Sequence, residues 1–206
     1  DLAITTLNDV AEDSRRITQA TAPPLLIDID TGFGGAFSLG RTIKEMINAD
    51  VAAVHIEDQV TQKRCGHRPN KSLVDKIEMG DRIKAAVDGR TDESFFIMAR
   101  TDSYATEGMD GAIDRCNEYI EAGADGLFLE AVANLDDYKQ LKDALQVPVL
   151  ANITEFGKTP LFSAGDLASS GVDIMLFPLS AFRAMNKAAE SVYQDISANG
   201  SKKNSV

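Results

Sequence analysis

Short runs of apolar residues alternate with amphipathic segments along nearly the whole chain. In the amphipathic segments, apolar residues recur three or four positions apart, as on one face of a helix; Ile113, Cys116 and Ile120 are an example. The apolar runs are short and almost uninterrupted, which is typical of strands buried on both faces. We predict six strands, at residues 25–30, 52–56, 95–99, 126–129, 147–151 and 172–177.

Strands that alternate with helices predict a parallel sheet covered by helices. Two α/β architectures have this pattern, a doubly wound open sheet and an eight-stranded β/α barrel. Polar residues stand at the carboxyl end of nearly every predicted strand, and only in a barrel do all these ends meet at one mouth. The pattern therefore favours a (β/α)8 TIM-type barrel. The strand-end residues are Asp28, Asp30, Glu57, Asp58, Arg100, Asp102, Glu130, Asn152 and Thr154.

Six β/α units do not close an eight-stranded barrel. We therefore expect about two units to be missing on the amino-terminal side of this sequence. Residues 1–206 are predicted to form one partial barrel, which is a single catalytic domain.

The composition is ordinary for a soluble globular domain, with 44% hydrophobic and 26% charged residues. A net charge of −11 argues against nucleic acid or an anionic membrane surface as a partner. No apolar run approaches the roughly 18 residues of a membrane-spanning helix, and no signal peptide is recognisable. Two cysteines are too few for a disulfide framework, which predicts a reducing, intracellular compartment.

Two aspartates, Asp28 and Asp30, end the first predicted strand. On a regular strand, residues two apart point to the same side, so these carboxylates could share a ligand. Hard oxygen ligands of this kind suit Mg²⁺ or Mn²⁺. The alternative is that the two aspartates bind no metal and that Asp30 caps a turn at a solvated strand end. Glu57 and Glu130 at neighbouring strand ends favour the metal, because four carboxylates at one mouth would repel each other without a cation.

The one concentrated positive patch of this acidic chain is the loop at residues 63–71, KRCGHRPNK. Cys65, a thiol among cations in a polar loop, is expected to be more reactive than a buried cysteine. The cations favour a thiolate nucleophile, whereas a proton donor must stay protonated, so both roles remain open. His67 could be a general acid or base or a hydrogen-bonded loop residue. Cys116 is predicted to be a packing residue.

Two arginines are candidates for binding an anionic substrate. Arg100 ends a predicted buried strand, where it needs a paired carboxylate or a bound anion, and a substrate carboxylate is a natural partner. Arg183, in the first turn of the last predicted helix, could be a second anion contact or an ordinary surface arginine. His55 lies inside an apolar strand and is predicted to be a hydrogen-bonded core histidine.

The segment Lys63-Arg64-Cys65-Gly66-His67 resembles the signature loop of the isocitrate lyase and phosphoenolpyruvate mutase superfamily. Other segments match that superfamily in order, so the resemblance covers essentially all 206 residues. They are 28–34 (DIDTGFG), 55–59 (HIEDQ), 98–102 (MARTD) and 152–157 (NITEFG). Segments 68–71 (RPNK), 159–162 (TPLF) and 180–186 (SAFRAMN) are most similar to its methylisocitrate lyase branch.

The resemblance implies a barrel that cleaves 2-methylisocitrate, a small tricarboxylate, to pyruvate and succinate with Mg²⁺, within the methylcitrate cycle of propionate catabolism. It implies metal binding by Asp28, Asp30 and Glu57, with Asp1 as a further acid near the metal. It implies that Cys65 protonates the succinate carbanion. The other implied residues are Lys63 and His67 for catalysis, and Gly66, Arg100, Glu130, Asn152, Thr154 and Arg183 for substrate contacts.

The resemblance also implies a homo-oligomer, a tetramer built from dimers that exchange a carboxyl-terminal helix absent from this sequence. The expected location is the cytoplasm, or the mitochondrial matrix in a eukaryote, and the general base is expected in the missing amino-terminal segment. Cleavage of isocitrate to glyoxylate and succinate is one alternative. Another is phosphonate chemistry, against which the intact Cys-Gly-His and the extra arginines argue. A non-catalytic barrel would be expected to have lost the thiol or the acid pair.

Overall fold

The structure is a computed structural model of the chain, and it describes residues 2–201. Asp1, expected near the metal, and residues 202–206 lie outside the described residues. Over residues 2–201 seven helices alternate with six strands. In chain order they are α1 Leu7–Ala20, β1 Leu26–Asp28, α2 Ala36–Asn48, β2 Ala53–Glu57, α3 Lys76–Gly89, β3 Phe96–Thr101, α4 Tyr104–Glu121, β4 Gly126–Leu129, α5 Leu135–Leu145, β5 Val149–Asn152, α6 Ala164–Ser169, β6 Ile174–Leu176 and α7 Ser180–Asn199.

The six strands form one parallel sheet in sequence order, from β1 to β6. Each crossover therefore moves one strand further in the same direction, and right-handed crossovers place the helices on one side of such a sheet. A doubly wound sheet instead reverses direction in the middle and carries helices on both faces. The sheet is the curled wall of an incomplete TIM-type barrel, as predicted, and the open-sheet alternative is wrong.

The main apolar core lies between the sheet and its helices. Ile43, Ile83 and Tyr119 are fully buried there and belong to one continuous cluster with the outward-facing strand residues. On the inner side of the sheet, Met98, Phe128 and Leu150 form a second, smaller cluster on β3, β4 and β5. The polar strand ends lie beyond this inner cluster, so its apolar side chains form part of the base of a site at the mouth.

The first strand is shorter than predicted. It ends at Asp28, because Asp30 has a φ of +49° and has left the extended conformation. The Asp30 backbone N–H donates to the Asp28 carboxylate (2.8 Å), which closes a tight turn at the strand end. The two aspartates therefore meet through a turn, and the expectation that strand alternation aligns them is wrong.

The remaining element boundaries agree with the sequence within a few residues. The helix after the fourth strand is capped as predicted, since the Asn134 side chain accepts a hydrogen bond from the Asp137 backbone N–H (2.9 Å). Across residues 2–201, none of the helices combines the length and apolar character needed to cross a bilayer.

Candidate active site

The strand ends converge on one cavity at the mouth of the sheet, with a volume of about 450 Å³. Ten of the twelve residues predicted for the site line its wall. They are Asp28, Lys63, Cys65, Gly66, His67, Arg100, Glu130, Asn152, Thr154 and Arg183. The other two, Asp30 and Glu57, lie directly behind the wall, where they contact Lys63.

Three carboxylates form an acidic triad at one side of this cavity. Asp28, Asp30 and Glu57 each present an oxygen atom, and these oxygens all lie within 4.8 Å of one another. Glu57 is completely buried at the end of β2. Buried carboxylates this close together require positive charge nearby, so the triad is a candidate site for a divalent metal ion.

Two cations neutralise the triad in this structure. The Lys63 ammonium donates to Asp30 and to Glu57 Oε2, the latter at 3.0 Å. Arg100 Nη1 lies 3.3 Å from the same Glu57 oxygen. The other oxygen, Glu57 Oε1, is buried and has no hydrogen-bond partner among residues 2–201. All-oxygen donors with one unsatisfied carboxylate oxygen fit a hard divalent cation that keeps some of its water.

The electrostatic environment separates the two strand-end acids. Burial opposes ionisation of Asp28, but the charges of Arg100 and Lys63 and the hydrogen bond from the Asp30 backbone N–H outweigh it and hold the pKa of Asp28 well below its ordinary value. Burial raises the pKa of Glu57 to about 7, against the attraction of Arg100 and Lys63. Asp28 therefore carries a full negative charge at neutral pH, while a cation bound at Glu57 would compete with its proton.

The Lys63 ammonium stays charged in this environment. Burial disfavours its charged form, but Asp28 and Glu57 outweigh burial and raise the pKa of Lys63 above its ordinary value. A permanent positive charge beside two acids stabilises their ionised forms, so the lysine contributes to the triad rather than acting as a base.

Arg100 is the central cation of the site. Its Nε donates to Asp102 Oδ2 (3.0 Å), and its Nη2 lies 3.1 Å from Glu130 Oε2. The guanidinium also stacks 5.0 Å from the Phe128 ring centroid. Burial disfavours the charge, but Asp102 and Glu130 outweigh it and raise the pKa of Arg100 further. A buried arginine at this position needed an anionic partner, and protein carboxylates supply it. Arg100 also lines the cavity, where it is available to a substrate.

Glu130 connects Arg100 to His67 and Asn152. His67 Nε2 lies 3.1 Å from Glu130 Oε1, and Asn152 Nδ2 donates to the same oxygen at 3.2 Å. His67 Nδ1 accepts the Lys158 backbone N–H (3.0 Å), so the hydrogen shared with Glu130 is carried by Nε2. Burial opposes ionisation of Glu130, but Arg100 and the His67 hydrogen bond lower its pKa to about 2. Glu130 is thus a fixed anion that orients three cavity side chains.

The basic loop folds over the cavity with Cys65 exposed at its surface. Among residues 2–201 the thiol makes no hydrogen bond or ion pair, because the loop lysines are engaged elsewhere. Lys63 binds the triad and Lys71 binds Asp102 (2.9 Å). Lys63 and Lys71 therefore neutralise protein carboxylates rather than pairing with the thiol.

Gly66 brings the loop backbone into direct contact with the central ion pair. A Cβ at this position would lie 2.4 Å from Glu130 Cγ and 2.5 Å from Arg100 Nη2. Only glycine permits so close an approach, so any larger residue next to Cys65 would collide with Glu130 and Arg100.

Arg183 lies on the far wall of the cavity. It pairs with the Glu155 carboxylate, and its Nη1 is also 3.4 Å from Thr154 Oγ1. Its guanidinium stacks 5.4 Å from the Phe156 ring centroid. These contacts hold Arg183 at the cavity wall, where its side chain is 34% exposed. Its predicted substrate contact stays a prediction.

The sequence predicted core positions for Cys116 and His55, and these two predictions had different outcomes. Cys116 is 1% exposed within the core and is a packing residue, as predicted. His55 is buried, but the prediction that it is hydrogen-bonded is wrong: its Nδ1 has no hydrogen-bond partner among the described residues. It lies 3.6 Å from Asp28 Oδ1 and edge-on to Phe128 at 5.2 Å. Burial lowers the pKa of His55, which keeps it neutral inside the barrel.

Gln59, Lys71 and Asp102 were not predicted as site residues, but they support the site from outside the cavity wall. Asp102 binds both Arg100 and Lys71, and Gln59 holds the backbone of Arg64. The position of Asp102, two residues after Arg100 at a strand end, was a usable signal because such residues share a face. The contacts of Gln59 and Lys71 depend on how the loop folds back, for which the sequence has no periodic pattern.

Comparison with known proteins gives a consistent set of relatives. The model of the phosphoenolpyruvate phosphomutase family matches residues 1–197. The chain is 61% identical to 2-methylisocitrate lyase of Vibrio cholerae, with 97% of this chain and 67% of that protein covered. It is 58% identical to 2-methylisocitrate lyase of Escherichia coli, with coverage of 100% and 70%.

A solved structure extends the similarity to three dimensions. The crystal structure of 2,3-dimethylmalate lyase, a PEP mutase/isocitrate lyase superfamily member, has a TM-score of 0.94 to this chain at 36% sequence identity. The match covers 99% of this chain and 69% of that one.

Proposed function

The chain belongs to the phosphoenolpyruvate phosphomutase family, and from that premise we propose that it is a carbon–carbon lyase that cleaves 2-methylisocitrate to pyruvate and succinate with Mg²⁺. The family hosts more than one chemistry, so the proposal depends on the site and on the relatives of highest identity. One observation supports it: Cys65, Arg100, Arg183 and the Asp28 member of the acidic triad line a single cavity. The relatives at 61% and 58% identity are named as 2-methylisocitrate lyases.

The charges of the cavity suit a small polycarboxylate. Its volume of about 450 Å³ is within the usual range for small-molecule sites. Arg100 and Arg183 lie on its wall, and bidentate guanidinium–carboxylate pairing gives orientation as well as affinity. We assign Arg100, Arg183, Asn152 and Thr154 to the substrate carboxylates. Glu130 pairs with Arg100, and the Gly66 backbone packs against both of them.

The proposed reaction breaks the bond between the hydroxyl-bearing carbon and its carboxylate-bearing neighbour. The hydroxyl proton leaves to a base, the oxygen electron pair becomes the carbonyl of pyruvate, and the bonding pair remains on the succinate carbon. Cys65 donates its S–H proton to that carbon, which completes succinate and leaves a thiolate that recovers a proton afterwards. Asp28, Asp30 and Glu57 would hold Mg²⁺, which supplies Lewis-acid polarisation of the substrate oxygens.

Lys63 and His67 are proposed to act on these groups rather than on the substrate carbon. Lys63 sets a positive charge against Asp30 and Glu57, and it must yield part of its contact when a metal ion occupies the triad. His67 donates a hydrogen bond to Glu130, which fixes the carboxylate that faces Arg100. Both residues thereby set the charge pattern that a tricarboxylate meets.

The test is the stoichiometry and metal dependence of the reaction of the purified full-length protein. Pyruvate and succinate should form in equal amounts from 2-methylisocitrate, activity should disappear in EDTA, and Mg²⁺ should restore it. Product formation that continues in EDTA after exhaustive dialysis would refute the metal assignment. The absence of both products with Mg²⁺ present would refute the proposed reaction.

We also propose a homo-oligomer, a tetramer of helix-swapped dimers, in the cytoplasm or in the matrix of a mitochondrion. Helix α7 exposes Phe182, Met185 and Tyr193, which are 56%, 60% and 72% accessible, and apolar surface of this kind supports an assembly. Both cysteines are free, which supports a reducing compartment. Light scattering of the full-length protein tests the assembly, and a monomer at micromolar concentration would contradict it.

A further inference from the structure

The loop that carries Cys65 is closed at its base by backbone hydrogen bonds. Gln59 and Leu73 form an antiparallel bridge, the Val60 N–H donates to Ser72 O (3.0 Å), and the Val74 N–H donates to Asp58 O (2.9 Å). These bonds fix where the loop leaves and rejoins the barrel. They do not fix its middle, where the thiol lies.

A buried glutamine holds the residue before the cysteine. The Gln59 side chain is fully buried, its Oε1 accepts the Arg64 N–H (2.9 Å), and its Nε2 donates to Arg64 O (2.9 Å). The amide thus pairs with both polar groups of one residue, as a neighbouring strand would. Arg82 Nη1 donates to Gln59 O (2.8 Å), which fixes the glutamine backbone from the outer side.

A buried lysine holds the residue after the cysteine. The Lys71 side chain is 2% exposed, and its ammonium donates to Gly66 O (2.8 Å) and to Asp102 Oδ1 (2.9 Å). Asp102 also binds Arg100 Nε (3.0 Å). The loop backbone is therefore connected through one ammonium to the strand that presents the central arginine.

We propose that Gln59 and Lys71 are positioning residues that fix the two neighbours of Cys65 and so aim its thiol into the cavity; this rests on the proton-donor role in the proposed function. Neither side chain lines the cavity, so neither is placed to contact the substrate. Gln59 makes two hydrogen bonds to Arg64, and Lys71 makes one to Gly66 and one to Asp102. A displacement of about 1 Å at a reacting group costs about 100-fold in rate, so loss of either clamp should be visible in turnover.

The experiment compares Gln59→Leu and Lys71→Met with the wild-type full-length protein. Both substitutions remove the hydrogen bonds and keep similar apolar bulk. Matched controls are Gln194→Leu and Lys76→Met, because those residues are exposed on the outer helices and are also hydrogen-bonded, to Glu190 (3.2 Å) and Asp114 (2.6 Å). Steady-state pyruvate release should show a 10- to 100-fold lower kcat and a KM within about threefold of wild type for each clamp variant. The controls should keep both constants.

A cycle with Cys65→Ala separates positioning from general stability. If the clamps act through the thiol, Gln59→Leu and Lys71→Met should reduce the residual rate of Cys65→Ala by less than about twofold. An undiminished loss in that background would overturn the proposal. So would a wild-type kcat in both clamp variants. Having two independent clamp variants keeps the cycle usable if one of them fails to fold.

Two readouts do not depend on the proposed reaction. Hydrogen exchange of peptides covering residues 60–72 should be faster in the clamp variants and unchanged in the controls. In Gln59→Leu the Arg64 N–H loses its acceptor, and in Lys71→Met the Gly66 carbonyl loses the donor that ties the loop to Asp102. The alkylation rate of Cys65 by iodoacetamide should change at least threefold, with buried Cys116 as the unreactive internal reference. Unchanged exchange and alkylation would overturn the clamps even if the lyase reaction is confirmed. Altered values in a protein that fails the lyase assay would support the clamps and refute only the proposed function.

Discussion

Replacing Gly66 with alanine should displace the loop that carries Cys65 and remove most turnover. The added methyl group would lie 2.4 Å from Glu130 Cγ, 2.5 Å from Arg100 Nη2 and 2.7 Å from Glu130 Oε2. Ordinary contacts begin at about 3.5 Å, so the loop or the ion pair must move by about 1 Å. Since the ion pair is held on several sides, the loop is the part expected to move.

The size of the effect follows from this geometry. A shift of about 1 Å at the thiol should lower kcat/KM by about 100-fold. Overpacking of this kind usually costs about 1–3 kcal/mol of unfolding free energy. In a chain of this length each kcal/mol lowers the melting temperature by about 2–4 °C. The variant should therefore remain folded at assay temperature while losing activity.

The assay is pyruvate release from 2-methylisocitrate with a parallel thermal melt. Gly165→Ala is the matched control, because in helix α6 the nearest atom to its added methyl group is Ser163 Oγ at 3.8 Å. That substitution should keep full activity and raise stability by about 0.5–1 kcal/mol. A Gly66→Ala protein with kcat/KM within threefold of wild type would refute the steric reasoning and the placement of the loop against Arg100.

Other consequences follow from single side chains. Cys65→Ala should reduce turnover to a small residual rate and leave the thermal melt nearly unchanged because the thiol is exposed. Cys116→Ala should instead lower the melting temperature and keep turnover. Pyruvate release by Cys65→Ala close to the wild-type rate would remove the thiol from the mechanism. Lys63→Met removes the ammonium that pairs with Asp30 and Glu57, so the melting temperature of this variant in EDTA should be lower than that of wild type. Addition of Mg²⁺ should raise its melting temperature by more than it raises that of wild type. Equal increases in the two proteins would argue against the triad as the metal site. The pKa of Glu130 is lowered from 4.5 to about 2, so its ionised form stabilises the fold above about pH 4.5 and this contribution is lost as the pH falls toward 2. Urea unfolding should show the stability difference between wild type and Glu130→Gln shrinking over that range, and a constant difference would contradict the ion pair.

The sequence was most informative about the fold where burial controls composition. The inner strands β2 to β5 are buried almost throughout and must therefore be apolar, whereas the edge strands β1 and β6 are apolar runs that are only partly buried. The polar ends of the strands point to one mouth. The end of β1 could not be read this way. Asp30 follows Ile29, a fully buried apolar residue, but a hydrogen bond from its own backbone to Asp28 turns the chain out of the strand.

The site, too, could be predicted from the sequence only in part. The position of polar residues at strand ends was enough to predict that Asp28, Glu57, Arg100, Glu130 and Asn152 meet at one mouth. The sequence showed that cations accompany these acids, but not which cation meets which acid. That choice depends on the path of the loop, which is set by tertiary hydrogen bonds such as those of Gln59 and Lys71, and these leave no periodic signal in the chain.

Substrate choice is the most direct test of the central claim, because the fold alone does not decide among carboxylate substrates. The measurement is kcat/KM for 2-methylisocitrate, isocitrate and 2,3-dimethylmalate under the same Mg²⁺ concentration, with pyruvate and glyoxylate determined separately. We expect 2-methylisocitrate to be cleaved at least tenfold more efficiently than either alternative, with glyoxylate as a minor product. Equal or faster formation of glyoxylate from isocitrate would contradict it.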